Sequence, residues 1–384
     1  MRILIVHSRY LSGPASGENR VVDDETRLLS EAGHDVHVWQ PEPHPGGPAD
    51  LLRMGLGSVW STEAAAAVRR VIRRERVAVV HCHNLFPQLS PAVIRVAHAE
   101  GVPVVVTLHN YRLLCLPATL LREGEICEDC VGRRVPWPGV VHRCYRDSWL
   151  GSGSLATSLS LHDRLGTFDR VTLFLAVAEF VRKKHIEGGI GADRIRVKSN
   201  FAWPSPRREG PGAYFLFLGR LASEKGLGTI LEAWRDVPEE LVVVGDGPDS
   251  ARSRSTAPPG VRFLGTVSAD SVPDILSRAR ALVLPSVWYE AQPRVVLEAY
   301  AAGVPVVASR IGGLEDLVAH ERTGLLVEPW DPADWKRAIR VLADDQTSDR
   351  LGDGAFERWR DLYAPERALR DLEDAYVAAI ERAA

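Results

Sequence analysis

Short runs of consecutive apolar residues alternate with longer amphipathic stretches along this chain, and they do so in two series. In the first series, residues 2–7, 35–39, 77–81, 103–108, 171–177 and 194–198 read as strands. Residues 17–32, 61–74 and 91–100 between them have helical periodicity, with Gly33 placed as a C-terminal cap. Strands that are apolar throughout belong to parallel sheets covered by helices on both faces. The second series has strands at 214–218, 240–244, 261–264, 281–284, 305–308 and 324–327, with helices such as 226–235 and 295–302. Between the series, residues 201–212 hold three prolines and two glycines, a linker composition. A last helix at 365–384 carries Leu369, Leu372, Tyr376 and Ile380 on one face. The expected fold class is therefore α/β, with two doubly wound Rossmann-like domains at 1–204 and 205–364 and a C-terminal helix at 365–384. Residues 110–149 interrupt the first pattern as a Cys-rich insertion.

A length of 384 residues suits two or three domains. The net charge of -3 leaves no global positive field to gather nucleic acid. The longest apolar stretches, such as 171–178, fall far short of the ~20 residues that span a bilayer. The apolar run at 2–6 is too short for a secretory signal, so a soluble, cytoplasmic protein is expected. Arg69, Arg70, Arg73, Arg74 and Arg76 form a basic stretch that reads as a solvated helix face or a membrane-surface contact.

In doubly wound sheets, ligands bind beyond the C-terminal strand ends, so the chemistry is sought in those turns. The turn at 7–18 places Gly17 at a helix N-terminus suited to a phosphate, or is simply a flexible loop. It lacks Gly-x-Gly-x-x-Gly, which excludes the dinucleotide-binding fingerprint. His109 ends the strand Thr107-Leu-His109, where it can donate to a phosphate or hydroxyl oxygen or serve a structural role. The turn Gly219-Arg220-x4-Lys225-Gly226 puts two cations beside a helix start, a diphosphate cradle rather than an ordinary basic loop. Gly245, in Val-Gly-Asp-Gly-Pro, either makes a tight turn or admits a close ligand. Glu290 lies in the loop after a buried strand. Glu298 sits among Val295, Val296, Leu297, Ala299 and Ala301. A buried carboxylate needs partners, either ribose or sugar hydroxyls or an arginine.

These residues resemble the retaining glycosyltransferases of family four, which have the GT-B fold. The likeness rests on Glu290-x7-Glu298, the Gly219-Arg220…Lys225-Gly226 turn, the strand end at His109 and Ser16-Gly17-Glu18, in the family's order. It covers nearly the whole chain and implies two domains facing across a cleft, with the C-terminal helix crossing back to the first. By this resemblance, Arg220 and Lys225 bind the donor diphosphate and Glu298 the ribose hydroxyls. Glu290 contacts the donor sugar, and His109 sits beside the transferred sugar. Gly17 lies near the phosphates or the acceptor, Gly219 and Gly245 line the donor turns, and the Val267 backbone meets the base. After Glu290, many members have Gly-Phe-Gly-Leu-Pro. Here Ala-Gln-Pro-Arg-Val stands instead, without those glycines and with Arg294 as an added cation that is either a donor contact or a partner for Glu290 or Glu298.

The chemistry implied is sugar transfer from a nucleotide-sugar donor to an acceptor hydroxyl or amine in glycan, glycolipid or natural-product biosynthesis. The resemblance favours a UDP-sugar and retention of configuration. No Asp-x-Asp pair is placed to carry a divalent metal, so Arg220 and Lys225 take its place and no catalytic metal is expected. The alternatives are a nucleotide-sugar epimerase, a phosphorylase, or a non-catalytic nucleotide-sugar-binding partner. Separately, Cys115, Cys127, Cys130 and Cys144 offer four thiols with one Cys-x2-Cys knuckle, a candidate structural zinc site or four reduced thiols. Cys82 reads as a core residue.

Overall fold

A computed structural model describes residues 1–9, 16–41, 55 and 57–383. The chain divides into two compact units. The first comprises Met1–Leu120, Cys127–Lys198 and Leu369–Ala384; the second comprises Leu121–Ile126 and Ser199–Ala368. In chain order the strands are β1 (Arg2–Val6), β2 (Asp35–Trp39), β3 (Val79–Cys82), β4 (Val104–Leu108), β5 (Leu121–Arg122), β6 (Glu125–Ile126), β7 (Leu173–Ala176) and β8 (Ile195–Val197). The rest are β9 (Tyr214–Leu218), β10 (Leu241–Val244), β11 (Val261–Gly265), β12 (Ala279–Leu284), β13 (Val306–Ser309) and β14 (Gly324–Val327).

Each unit is built on a six-stranded sheet, β2-β1-β3-β4-β7-β8 in the first and β11-β10-β9-β12-β13-β14 in the second. Every pairing in both is parallel. The apolar strands follow from burial on both faces. In β9, Leu216 enters one core cluster while Phe215 and Phe217 enter the other, as the two-residue strand period requires. The strand order turns between β1 and β3, and again between β9 and β12. Those switch points are where an open α/β sheet leaves a crevice beyond its strand ends.

The helix Pro365–Ala383 buries Leu372, Ala375, Tyr376 and Ala379 against Ile3, Ile5, Val79 and Leu173 of the first unit. Two boundaries differ from the sequence reading. The units meet in the chain at Lys198–Ser199 rather than after residue 204. Phe201 and Ala202 are buried, and the Trp359 indole N–H donates to the Ala202 carbonyl at 3.0 Å, which ties the start of the linker to the second unit. The Cys-rich insertion is also divided. Its β5–β6 hairpin belongs to the second unit, where Ile126 packs on the core.

Candidate active site

In the second unit, the loops after β9 and β12 meet in one ion pair at the switch point. Lys225 Nζ donates to Glu290 Oε1 at 2.6 Å, and Ser286 Oγ donates to the same oxygen at 2.8 Å. The ammonium lies 5.1 Å from the Trp288 ring centre. Glu290 is 5% exposed, so its charge needs these donors. Gly226 makes the approach sterically feasible: its φ is +67°, and a Cβ there would stand 1.9 Å from the Pro285 carbonyl oxygen. From the far side the Gly313 N–H donates to the Glu290 carbonyl at 2.8 Å.

Arg220 leaves the same turn, 64% exposed and ion-paired with Glu224 one helical turn on. At Gly219 an added Cβ would meet nothing within 4 Å, so the chain itself does not require glycine there. Gly245 is different: its φ is +130° and a Cβ would stand 1.9 Å from the Gly219 carbonyl oxygen. Packing alone accounts for that glycine. Glu298 is partly exposed on the helix Arg294–Ala301, with Arg294 Nη2 3.5 Å from its Oε1. Arg294 is thus the partner of Glu298, and Lys225 the partner of Glu290. Val267 follows β11 and packs partly buried on the core.

In the first unit, Gly17 opens the helix Gly17–Glu31, and the Ser16 side chain makes no capping bond. An added Cβ at Gly17 would meet nothing within 4 Å. The rest of its preceding turn, residues 10–15, lies outside the described residues. His109, partly exposed, stands at the end of β4 beside two histidines that the motif reading passed over. His7 ends β1, and His83 ends β3. His83 Nδ1 and His109 Nε2 are 2.8 Å apart. Behind them Lys198 donates to Glu25, with the lysine side chain 2% and the glutamate side chain 0% exposed. A cavity of about 40 Å³ opens beside His109 and His83.

Burial pushes these rings down. His83 and His109 lie well below the usual imidazole range through burial and then through neighbouring positive groups. His81 is pushed to about 3 and His185 to about 4, burial being the first cause in each. The unfolded chain therefore binds more protons than the folded one below the unfolded value of about 6.5. The stability these rings contribute is full above that pH and is lost progressively as the pH falls towards 4. Denaturant melts of wild type at pH 7, 6 and 5 should show this loss. A midpoint unchanged over that range would contradict the neutral burial of these rings.

The sequence matches two family descriptions, "Glycosyltransferase Family 4" over residues 15–202 and "Glycosyl transferases group 1" over residues 212–345. It is 30% identical to the glycogen synthase of Mycobacterium tuberculosis over 434 aligned positions, covering 99% of this chain and 95% of that protein. The chain belongs to glycosyltransferase family four. A further relative, the D-inositol 3-phosphate glycosyltransferase of Pseudarthrobacter chlorophenolicus, is 28% identical with 97% of this chain and 92% of that protein covered. Among solved structures, the Anabaena protein HepE in complex with UDP superposes with a TM-score of 0.68 at 17% identity, covering 98% of this chain and 100% of that one. The fold is GT-B, and the protein is a nucleotide-sugar-dependent glycosyltransferase.

Within this family-four chain, the four insertion cysteines lie in one region. Burial pushes Cys130 up to about 11, and nearby Cys115, Cys144 and Cys127 add to the shift. Tetrahedral zinc thiolates need sulfurs about 3.8 Å apart, from Zn–S bonds of about 2.3 Å. Among the described residues, the one group of three or more ligand atoms all within 4.8 Å is Glu25, His81 and His83. Cys115, Cys127, Cys130 and Cys144 are the residues that a structural zinc ion would take, and elemental analysis of the purified protein tests it. Cys82 is fully buried, its thiol pushed up to about 12 by burial. Among the described residues, no helix is long and apolar enough to cross a membrane.

Proposed function

We propose that this glycosyltransferase takes its sugar from a UDP-sugar held on the second unit, transfers it with retention, and needs no divalent metal. The reading is carried by the Lys225–Glu290 pair at the β9/β12 switch point, 2.6 Å long and already assembled. Lys225 and Arg220 neutralise the diphosphate as charge grows on it, the term of largest expected weight in such a reaction. Glu298 accepts from the ribose hydroxyls and Glu290 from the donor sugar. The open space at Gly219 and Gly17 suits close backbone approach to phosphate oxygens. Gly245 and Val267 frame the turns towards the base, and Arg294 acts through Glu298. His109 is assigned to the transferred sugar. A uridine donor is favoured by the UDP complex of the HepE structure.

In the step proposed, the bond from anomeric carbon to phosphate oxygen breaks and its electron pair leaves with the diphosphate. The acceptor oxygen or nitrogen bonds the same face of the carbon, and its proton passes to a leaving phosphate oxygen. The acceptor is a hydroxyl or amine of a glycan, a glycolipid or a natural product.

The test is nucleoside diphosphate release from a panel of nucleotide sugars, with and without excess EDTA. Wild type should release UDP at the same rate in both. Glu290→Gln should lower kcat at least tenfold with less effect on donor KM, because its contacts to the sugar strengthen in the transition state. Loss of turnover in EDTA, restored by a divalent cation, would overturn metal independence. Wild-type kcat in Glu290→Gln would remove that residue from the sugar.

A further inference from the structure

We infer that Glu25 and His83 fix the proton of His109 on Nε2 and leave its Nδ1 as a hydrogen-bond acceptor, so that His109 recognises a sugar hydroxyl and not a phosphate oxygen. Two buried atoms lack hydrogen-bond partners, Glu25 Oε2 and His83 Nε2. They face each other at 3.6 Å, beyond a formed hydrogen bond, while His81 Nδ1 stands 4.0 Å from the same Glu25 oxygen and is engaged with the Tyr376 hydroxyl. A neutral imidazole has one N–H. If His83 carried it on Nδ1, its Nε2 lone pair would face a carboxylate oxygen in the interior, two acceptors opposed. With the proton on Nε2, it points at Glu25. His83 Nδ1 is then an acceptor, and the proton in the 2.8 Å contact with His109 Nε2 must come from His109. A neutral His109 has then used its one N–H.

Among the described residues, the neighbouring polar groups have partners of their own. Lys198 donates to the other carboxylate oxygen of Glu25. His81 is engaged at both nitrogens, Nδ1 with the Tyr376 hydroxyl at 2.8 Å and Nε2 with Thr107 Oγ1 at 2.7 Å. His7 accepts the Asn84 N–H on Nδ1 at 3.4 Å and donates from Nε2 to Asn19 Oδ1 at 2.8 Å. The order Lys198, Glu25, His83, His109 is thus a single line of polar contacts through the first unit, and Glu25 and His83 are positioning residues. An acceptor nitrogen repels a phosphate oxygen and binds an O–H, which settles between the two ligands left open for His109 by its place at a strand end. The tautomer stands on geometry alone; only the hydroxyl's identity as one of the transferred sugar rests on the proposed function.

Tautomers are assigned from partners and can be measured directly. Long-range 1H–15N NMR on histidine-labelled wild type, with His83→Asn and His109→Asn as assignment variants, should show both rings with the proton on Nε2. In Glu25→Gln the carboxamide oxygen still accepts from Lys198 while its N–H2 faces His83 Nε2. Both rings should then reverse to the Nδ1 proton. Wild-type His109 with its proton on Nδ1 would overturn the inference, as would a folded Glu25→Gln in which neither ring changes. Should Glu25→Gln not fold, the wild-type spectrum decides. In the nucleotide-release assay, Glu25→Gln should lower kcat at least tenfold with donor KM within about threefold. A chain that shows the expected tautomers but turns over no donor would overturn the transferase reading and leave the tautomer assignment standing.

Discussion

Lys225→Ala is expected to lower kcat about 10²–10³-fold, the loss that follows removal of one preorganised charge from a transition state. The ammonium is held between Glu290 and the Trp288 ring, so it cannot be replaced by a mobile surface lysine. Its removal also leaves Glu290 buried with the Ser286 hydroxyl as its remaining side-chain donor, at a stability cost of about 1–3 kcal/mol. The two effects separate in a double variant. Lys225→Met with Glu290→Gln removes both charges and should recover most of the melting temperature without recovering turnover. Arg220→Ala acts on an exposed residue and should cost activity with no change in melting. Turnover of Lys225→Ala within threefold of wild type would rule out the diphosphate role.

Gly245→Ala should destabilise the second unit by at least about 4 kcal/mol, the range reserved for backbone clashes that cannot relax. The added Cβ meets the Gly219 carbonyl oxygen at 1.9 Å, with φ at +130° where side chains are disfavoured. Both atoms belong to strand-end backbone tied by the Gly219 N–H to Val244 O and the Gly245 N–H to Gly265 O. Gly219→Ala is the control. It meets nothing, so its melting point should hold, while donor affinity falls because the methyl fills space left for phosphate. Denaturant melts of the two variants give the comparison. Equal stability of Gly245→Ala and wild type would contradict the account of that turn.

The sheets were legible because burial on both faces leaves a mark on every strand: Tyr214–Leu218 and Gly324–Val327 need no adjustment from sequence to structure. The helix Trp149–Arg164 was not, since Gly-Ser-Gly-Ser near its start and its further serines carry no helical apolar period. Tertiary bonds override that propensity: Ser158 Oγ donates to Ser58 O at 2.6 Å, and the His162 ring meets Val59 O at 2.9 Å. In the site, Glu290 and the Arg–Lys turn were visible because they follow buried strands, and Glu298 because it is an acid among apolar residues of one helix. The pairing of Lys225 with Glu290 was not, because it joins loops 65 residues apart. Glu25 carried the same signal as Glu298, an acid among Val21, Val22, Leu28 and Leu29, and His81 lies in β3 with His83 just past its end. Their partner Lys198 comes from 173 residues away in sequence, so the cluster emerges only on folding.

The second unit is expected to bind a nucleoside diphosphate through Lys225, Arg220 and Glu298. Calorimetric titration of UDP, GDP, ADP and dTDP into wild type and Glu298→Gln tests it most directly. The account predicts that UDP binds wild type, raising stability by about 2.7 kcal/mol at 100 times its Kd, and binds Glu298→Gln at least tenfold more weakly. Equal UDP affinity in the two proteins, or no heat with any of the four nucleotides, would contradict it.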